Sequence, residues 1–444
     1  MSRIRSELHP DFSQQGATLE ARLAERPAAE ADAPRESPPA GRTGSGSRVA
    51  AASAERAEHR RRTVAACLLV YLLAQANLGL AWDIRWHGAV GRDDFWTPPH
   101  LLIYSGVALA GLLCLAMVLQ TSVRRWRGDP SLDEANTVTL FGVFHAPLGF
   151  AIAGFGLATL LFAAPFDNYW HELYGLDVAL WAPFHLMGLI GGGTAGLGAI
   201  YASAAEARRA RERGWARWRL LGYSGLDLLT LFAMSGLLSG LLTTAQPAAW
   251  QFPTLDLGPL RILTYPLLLA LGVGLIGVAA VRLAGRPGTA TLVVGLYVVR
   301  QVAIAAVVPL LIRTMVAQQG LEYRTPNAEP RFTLAVVVMV VVFLLPVLAI
   351  DLGALLLGAR GLARRRTAAL LGAAMAVPLF AVAVGLVYYS MRHARAMGAP
   401  PEILIPSLPT ASAVWLALPL ALLLGALGGA LGSGLGAILR QNER

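Results

Sequence analysis

The chain of 444 residues contains no lysine, only two cysteines and few charged residues of any kind. Charged side chains make up 14% of it, against roughly 25% in soluble domains. Apolar residues make up 55%, and the mean hydropathy is +0.55. This composition excludes an ordinary soluble domain. It predicts an all-α integral membrane protein whose principal partner is the lipid bilayer.

The missing lysines mean that the formal net charge of +10 comes entirely from arginine. These arginines cluster at the ends of apolar runs, as the positive-inside rule predicts for a membrane protein. The positive charge is therefore not a sign of nucleic-acid binding, and we expect no nucleic-acid partner.

The two cysteines, Cys67 and Cys114, both lie inside apolar runs. Neither their number nor their spacing fits a disulfide framework or a thiolate metal site. We expect them to be small apolar residues of the core.

The first 62 residues are rich in Ala, Arg, Glu, Ser, Pro and Gly. Such a composition cannot bury a core, so residues 1–62 are predicted to be a disordered cytoplasmic tail. No short apolar region follows a brief basic start, so this segment is not a signal peptide. The first apolar run follows Arg60, Arg61 and Arg62 and is predicted to be an uncleaved anchor.

The sequence predicts about ten transmembrane helices, since about 20 apolar residues cross a bilayer. Arginines flank every second loop, which places those loops and both termini in the cytoplasm. The membrane is predicted to be a bacterial-type inner (plasma) membrane, crossed many times. The predicted runs are 63–83, 99–121, 137–164, 182–205, 219–244, 259–283, 289–313, 332–358, 367–391 and 410–438.

Two stretches, 82–106 and 166–192, carry the same polar and aromatic residues where one run ends and the next begins. They predict a parallel repeat of two helix hairpins on the extracytoplasmic side, forming a metal-binding region over 63–205. The remaining six helices, 206–444, show no such repeat and have no assigned role. The matched residues are Asp83, Trp86, His87, Gly91, Asp93, Trp96, Pro98 and His100, and then Asp167, Trp170, His171, Gly175, Asp177, Trp181, Pro183 and His185.

The spacing within each stretch suits a metal site. Asp83 and His87 are four residues apart, so they project from the same face of a helix. Pro98 suits the start of the next helix and places His100 in its first turn, facing back. Asp167, His171 and His185 follow the same logic in the second stretch. Two His and one carboxylate form a ligand set for copper, iron or zinc.

Other interpretations of the same residues stay open. The carboxylates could instead hold the His rings as a hydrogen-bonded latch between paired helices, or the set could relay protons. Asp93 and Asp177 either orient the His rings or cap a helix or turn. The tryptophans are predicted to form an aromatic belt at the membrane interface. They are Trp86, Trp96, Trp170 and Trp181.

The spacing of Asp83, His87 and His100 resembles the membrane copper ligands of the C subunit of the particulate methane and ammonia monooxygenases. Asp167, His171 and His185 resemble the second ligand set of that family, with Asp where the family has Asn. The resemblance covers only the first two helix hairpins. It implies two neighbouring copper sites in an enzyme that oxidises a small apolar substrate with O₂.

The same resemblance implies partner monooxygenase subunits and a homotrimer. Two alternatives to a copper-dependent monooxygenase, or a subunit of one, remain. One is a copper transporter or carrier that uses the six further helices for translocation. The other is a non-catalytic subunit in which a metal staples the hairpins together.

Two further polar residues inside apolar runs need partners. Arg300, in the middle of the seventh run, is predicted to pair with Asp227 or with Asp351, as a structural ion pair or as part of a proton or ion path. His145 is predicted to be a packed or hydrogen-bonded residue, too distant from Asp167 to share its site. His59 is assigned to the disordered tail.

Overall fold

The computed structural model of the chain describes residues 44–91, 95–174, 182–216, 218–251, 254–326, 328–361, 363–396 and 410–440. Ten helices in these ranges are long and apolar enough to cross a membrane. The chain is therefore an all-α, multi-pass membrane protein, and the expected number of spans is confirmed.

Eleven α-helices make up these ten spans, because α8 and α9 together form the span Val337–Gly358. The helices are α1 (Gly44–Ala89), α2 (Pro98–Trp126), α3 (Leu148–Tyr174), α4 (Pro183–Glu212), α5 (Gly225–Gln251), α6 (Tyr265–Ala284), α7 (Thr289–Gln319), α8 (Leu334–Val341), α9 (Leu344–Gly361), α10 (Arg365–Ala396) and α11 (Ala411–Arg440). A short 3₁₀ helix covers Glu134–Asn136.

Prolines begin the two helices that carry the predicted His ligands. Thr97, just before α2, has extended backbone angles (φ −60°, ψ 147°), and Ala182, before α4, is similar (φ −55°, ψ 138°). A residue before proline is driven toward this region, and proline itself needs no hydrogen bond in the first turn. Both helices therefore begin where the sequence predicts.

Three antiparallel β-hairpins precede α3, α5 and α6, and they correct the predicted starts of three runs, since α6 begins at Tyr265 and not at residue 259. Residues 137–147 form a hairpin, so α3 begins at Leu148, and α5 likewise begins at Gly225 after a shorter hairpin. Phe141 and Gly142 in the first hairpin have positive φ, a turn conformation that no helix allows. The strands are β1 (Thr137–Leu140), β2 (Phe144–Pro147), β3 (Arg219–Leu220), β4 (Tyr223–Ser224), β5 (Thr254–Leu257) and β6 (Leu260–Leu263).

Residues 44–62 differ from the predicted disorder, because α1 begins at Gly44. The cause is tertiary contact late in this segment. Glu58 is buried and pairs with Arg124 of α2. His59, assigned to the tail, lies with Nδ1 2.6 Å from Oε2 of Glu206 in α4. Residues 1–43, including the rest of the predicted tail, lie outside the described residues.

Glycines allow α11 to approach α6 closely. A Cβ atom at Gly428 would lie 2.5 Å from the carbonyl oxygen of Leu271, and one at Gly432 would lie 2.4 Å from that of Leu275. Small residues at such crossings are typical of membrane helices, where packing replaces the hydrophobic effect. Helices α6 and α11 therefore pack directly against each other in the second half of the chain.

The two cysteines differ in environment. Cys114 is buried in the core, as predicted, but Cys67 is exposed on α1, which corrects its expected core position. Both are free thiols. An apolar run places a cysteine in the membrane but does not decide whether it faces protein or lipid.

Candidate metal centre

Asp83, His87 and His100 come together where α1 ends and α2 begins. Oδ1 of Asp83 lies 3.5 Å from Nε2 of His87 and 3.2 Å from Nε2 of His100. One ligand atom from each of the three residues lies within 4.8 Å of the others. Asp83 and His87 are close because they lie four residues apart on one helix. Asp83 and His100 are close because α2 begins at Pro98, which places His100 in its first turn.

The chemistry of these three residues fits a metal ion. Oδ1 of Asp83 is buried and makes no hydrogen bond to any residue that the structure describes, although both ring nitrogens are near it. A buried oxygen in this position loses its hydration without a replacement, which is costly. A divalent cation between the carboxylate and the two imidazoles would restore that interaction.

The site is partly shielded from solvent. The side chains of Asp83, His87 and His100 are 15%, 22% and 16% exposed. This leaves access for an ion or a small molecule and lowers the effective dielectric around the charge. The ring of Tyr104 stacks on that of His100, with centroids 5.6 Å apart and planes 28° apart. Tyr104 lies four residues after His100, so the helical repeat could have identified it as a neighbour.

Helix α7 supports the end of α1 that carries the site. Trp86 is 2% exposed and shares an apolar cluster with Ile304, Val308 and Ile312. The backbone N–H of Arg324, beyond α7, donates to the carbonyl of Ala89 (2.9 Å). Trp86 is thus buried against protein, which corrects its predicted place in an aromatic belt. No periodicity within α1 indicates which helix covers it.

The second hairpin repeats part of this arrangement. Oδ1 of Asp167, in α3, lies 3.3 Å from Nε2 of His185, in the first turn of α4. These side chains are 26% and 27% exposed, more than their counterparts in the first hairpin. The backbone of His171 is helical, but its side chain is outside the described residues. The structure therefore brings two of the three predicted residues together here.

Several predicted residues cannot be placed. Asp93, Asp177, Gly175 and Trp181 lie outside the described residues. Their suggested roles, as orienting or capping groups and as interface anchors, stay predictions. Trp96, which is described, is 66% exposed, and its place in an aromatic belt also stays a prediction.

The predicted partners of Arg300 are wrong. Asp227 pairs with Arg211 and accepts from the backbone N–H of Ser224. Asp351 instead accepts from the backbone N–H groups of Ala290 and Thr291, at the start of α7. Unsatisfied N–H groups at the start of a helix attract a carboxylate. The sequence did not indicate that Asp351 would meet the start of α7.

The guanidinium group of Arg300 lies over the ring of Phe232, 5.1 Å from its centroid. A Cβ atom at position 236 would lie 2.9 Å from Nη1 of Arg300, so the absence of a side chain at Gly236 leaves room for the guanidinium group. Beside it, Gln301 donates to the hydroxyl of Ser239 (2.9 Å). Arg300 therefore meets an aromatic face where the sequence predicted an ion pair.

His145 lies in β2, in a hairpin that the sequence did not predict. Its Nδ1 is 3.2 Å from the hydroxyl of Thr139 in the facing strand. The predicted hydrogen-bonded role is confirmed, whereas the predicted run 137–164 is helical only from Leu148. This histidine provides a useful comparison for the His residues of the hairpin sites.

The class that the fold defines is a multi-pass membrane protein with an Asp–His–His cluster at one end of a helix pair. No protein-family model matches the chain, and neither a curated protein nor a solved structure matches it.

Proposed function

We propose that the protein is a membrane metalloprotein that binds copper and resembles the C subunit of the methane and ammonia monooxygenases in function. The observation that carries the proposal is the cluster of Asp83, His87 and His100, with ligand atoms within 4.8 Å of one another. The spacing of these residues supports copper over the alternatives iron and zinc only through its resemblance to that family.

Asp83, His87 and His100 would hold the metal of the first site, and Asp167, His171 and His185 that of the second. Bound copper would supply redox chemistry toward O₂, for oxidation of a small apolar substrate. The chain itself provides a carboxylate that offsets the ion's charge and two imidazoles that bind in their neutral form. Tyr104 and the packing of Trp86 keep His100 and α1 in position.

The proposed topology places both metal sites on the extracytoplasmic side of a bacterial-type inner membrane, with both termini in the cytoplasm. The placement of arginines between the runs supports this orientation. The similar Asp–His contacts, 3.2 Å and 3.3 Å, support a parallel repeat of the two hairpins. Partner monooxygenase subunits and a homotrimer belong to the same proposal.

One observation favours a non-catalytic alternative. Each Asp–His pair joins the end of one helix to the start of the next, as a structural staple would. In that case, the metal stabilises the hairpins and the chain performs no oxidation itself. A transporter is the other alternative, with α5 to α11 as the translocation bundle.

The first experiment measures metal content of the purified protein in detergent or nanodiscs after loading with copper, iron or zinc. We compare the native chain with His87→Ala, His171→Ala and the matched control His145→Ala, whose imidazole bonds Thr139 instead. We expect copper in the native protein and in the control. We expect each of the other two variants to lose part of it.

Equal metal content in all four proteins, or none in any, would remove the metalloprotein proposal. If copper is bound, O₂ consumption with ammonia or short hydrocarbons separates the enzyme from the other roles. Copper uptake into proteoliposomes, without O₂ consumption, identifies a transporter. Copper that raises thermal stability without either activity identifies a staple.

A further inference from the structure

A second polar site lies along the N-terminal half of α1 and at the C-terminal ends of α2 and α4, where arginines of these three helices meet residues 127–136. We name these side chains the arginine cluster. Four of its arginine side chains are at most 14% exposed. Three carboxylates in the cluster are at most 12% exposed. The four arginines are Arg62, Arg124, Arg208 and Arg209, and the carboxylates are Glu58, Asp133 and Glu206.

Two arginines from different helices share one carboxylate oxygen in this cluster. Oδ2 of Asp133 lies 3.4 Å from Nη1 of Arg62 and 3.4 Å from Nη2 of Arg209. Glu58, in turn, pairs with Arg62 and Arg124. The guanidinium groups of Arg62 and Arg209 therefore both lie within 3.4 Å of a single oxygen, with like charges close together.

The hydrogen-bonding capacity of these arginines is not used up. Nη2 of Arg62, Nη1 of Arg209 and Nε of Arg61 are buried and make no hydrogen bond to the residues that the structure describes. Each guanidinium carries five N–H donors, and a buried donor without an acceptor is destabilising. Arg62 is 1% exposed, so bulk water does not reach it.

The charges of the cluster are also unequal. The four arginines that are 14% exposed or less face three carboxylates that are 12% exposed or less, and the further acidic partner Asp129 is 31% exposed. Glu212 lies 3.8 Å from Arg208 but is 52% exposed, so solvent screens it. His59 beside Glu206 adds no negative charge. The buried part of the cluster therefore carries more positive than negative charge, which a bound anion would offset.

We propose that Arg62 and Arg209 bind an oxyanion of the phosphate type, either free phosphate or the headgroup of an anionic phospholipid. Guanidinium groups match phosphate oxygens in geometry and bind them through paired N–H donors. Basic pockets between the ends of membrane helices bind anionic headgroups in this way. This site is independent of the metal proposal, because it shares no residue with it.

The test uses the full chain in a neutral detergent and phosphate-free chloride buffer at fixed ionic strength. Phosphate binding is followed by calorimetry, and phosphatidylglycerol against phosphatidylcholine is compared by native mass spectrometry. Arg209→Gln should weaken binding at least about tenfold, the value of a charged hydrogen bond. The control Arg125→Gln, an exposed partner of Glu134, should bind as the native protein does.

Asp133→Asn gives a change of opposite sign. It removes the negative charge between the two arginines, so the anion should bind more tightly. If Arg209→Gln fails to fold, this variant decides the test. Binding of phosphate identifies a free oxyanion, and binding of phosphatidylglycerol alone identifies a lipid headgroup. No binding of either, or equal binding by Asp133→Asn and Arg125→Gln, overturns the proposal and leaves buried water as the partner.

Discussion

Oδ1 of Asp83 lies 3.2 Å from Nε2 of His100, although the two residues belong to different helices. Asp167 and His185 repeat this relationship at 3.3 Å in the next helix pair. Each pair ties the C-terminal part of one helix to the first turn of its successor. A polar contact of this kind, at the end of two apolar helices, is costly to desolvate unless a further interaction compensates it.

Replacing Asp83 by Asn tests whether the carboxylate binds a metal. The amide keeps the shape but removes the negative charge that offsets a cation, so we expect metal affinity of the first site to fall at least about tenfold. Competition with a chelator, followed by metal analysis, measures the change. Asp256→Asn is the control, because Asp256 is 53% exposed in β5. Equal affinity in the two variants would mean that Asp83 is not a metal ligand and would leave it as a latch between α1 and α2.

Trp86→Ala tests the support that α7 gives to the first site. The indole is 2% exposed, and truncation of a buried Trp costs about 3–5 kcal/mol. We expect a lower melting temperature and loss of metal at the first site, with the second retained. Trp415→Ala, at a 67% exposed position in α11, should change neither. Comparable losses in the two variants would contradict the packing of α1 on α7.

Much of the fold could be predicted from the sequence because apolar length determines where a helix crosses a membrane. The first site was also predictable, since Asp83 and His87 lie on one helical face and Pro98 sets the start of α2. These are local rules, because Asp83 and His100 are only 17 residues apart in the chain.

The errors arose where contacts between distant segments decide the structure. Residues 137–147 are apolar enough to resemble a helix, but the positive φ of Phe141 and Gly142 makes a hairpin. His59 is ordered by Glu206, which is 147 residues away in the chain. Asp351 caps α7 from another helix, which excludes it as a partner for Arg300. No pattern within one segment carries this information.

We expect the substitution Asp129→Asn to change the pH dependence of the protein's stability slightly. A hydrogen bond from Arg124, with others from Ser131, holds the pKa of Asp129 well below its usual range. The unfolded chain then binds more protons than the folded chain at acidic pH, so this stabilisation is fully present above the ordinary pKa and is lost as the pH falls from that value through the lowered pKa of the folded chain.

The side chain of Asp129 is 31% exposed, and a solvent-screened pair contributes only about 0–1 kcal/mol. We therefore expect Asp129→Asn to lower the melting temperature slightly near about pH 7, and we expect this effect to shrink as the pH falls below about 4, the ordinary pKa of Asp. Melting curves across this range measure it. A larger effect at the acidic end would have the wrong sign for this ion pair.

Two glycines in α11 form a matched pair for testing how α11 packs on α6. A Cβ atom at Gly432 would lie 2.4 Å from the backbone oxygen of Leu275, which cannot move without shifting α6. We expect Gly432→Ala to destabilise the protein by about 1–3 kcal/mol, the usual cost of overpacking.

At Gly434, two residues further along α11, a Cβ atom would meet no other atom of the described residues within 4 Å. Gly434→Ala should therefore be neutral or stabilise the helix by up to about 1 kcal/mol. Thermal unfolding and size-exclusion profiles of the two variants in the same detergent measure the difference. Because both substitutions add one methyl group to the same helix, propensity and composition cancel in the comparison. A destabilisation of equal size at both positions would mean that α11 does not pack on α6 through the face that carries Gly432.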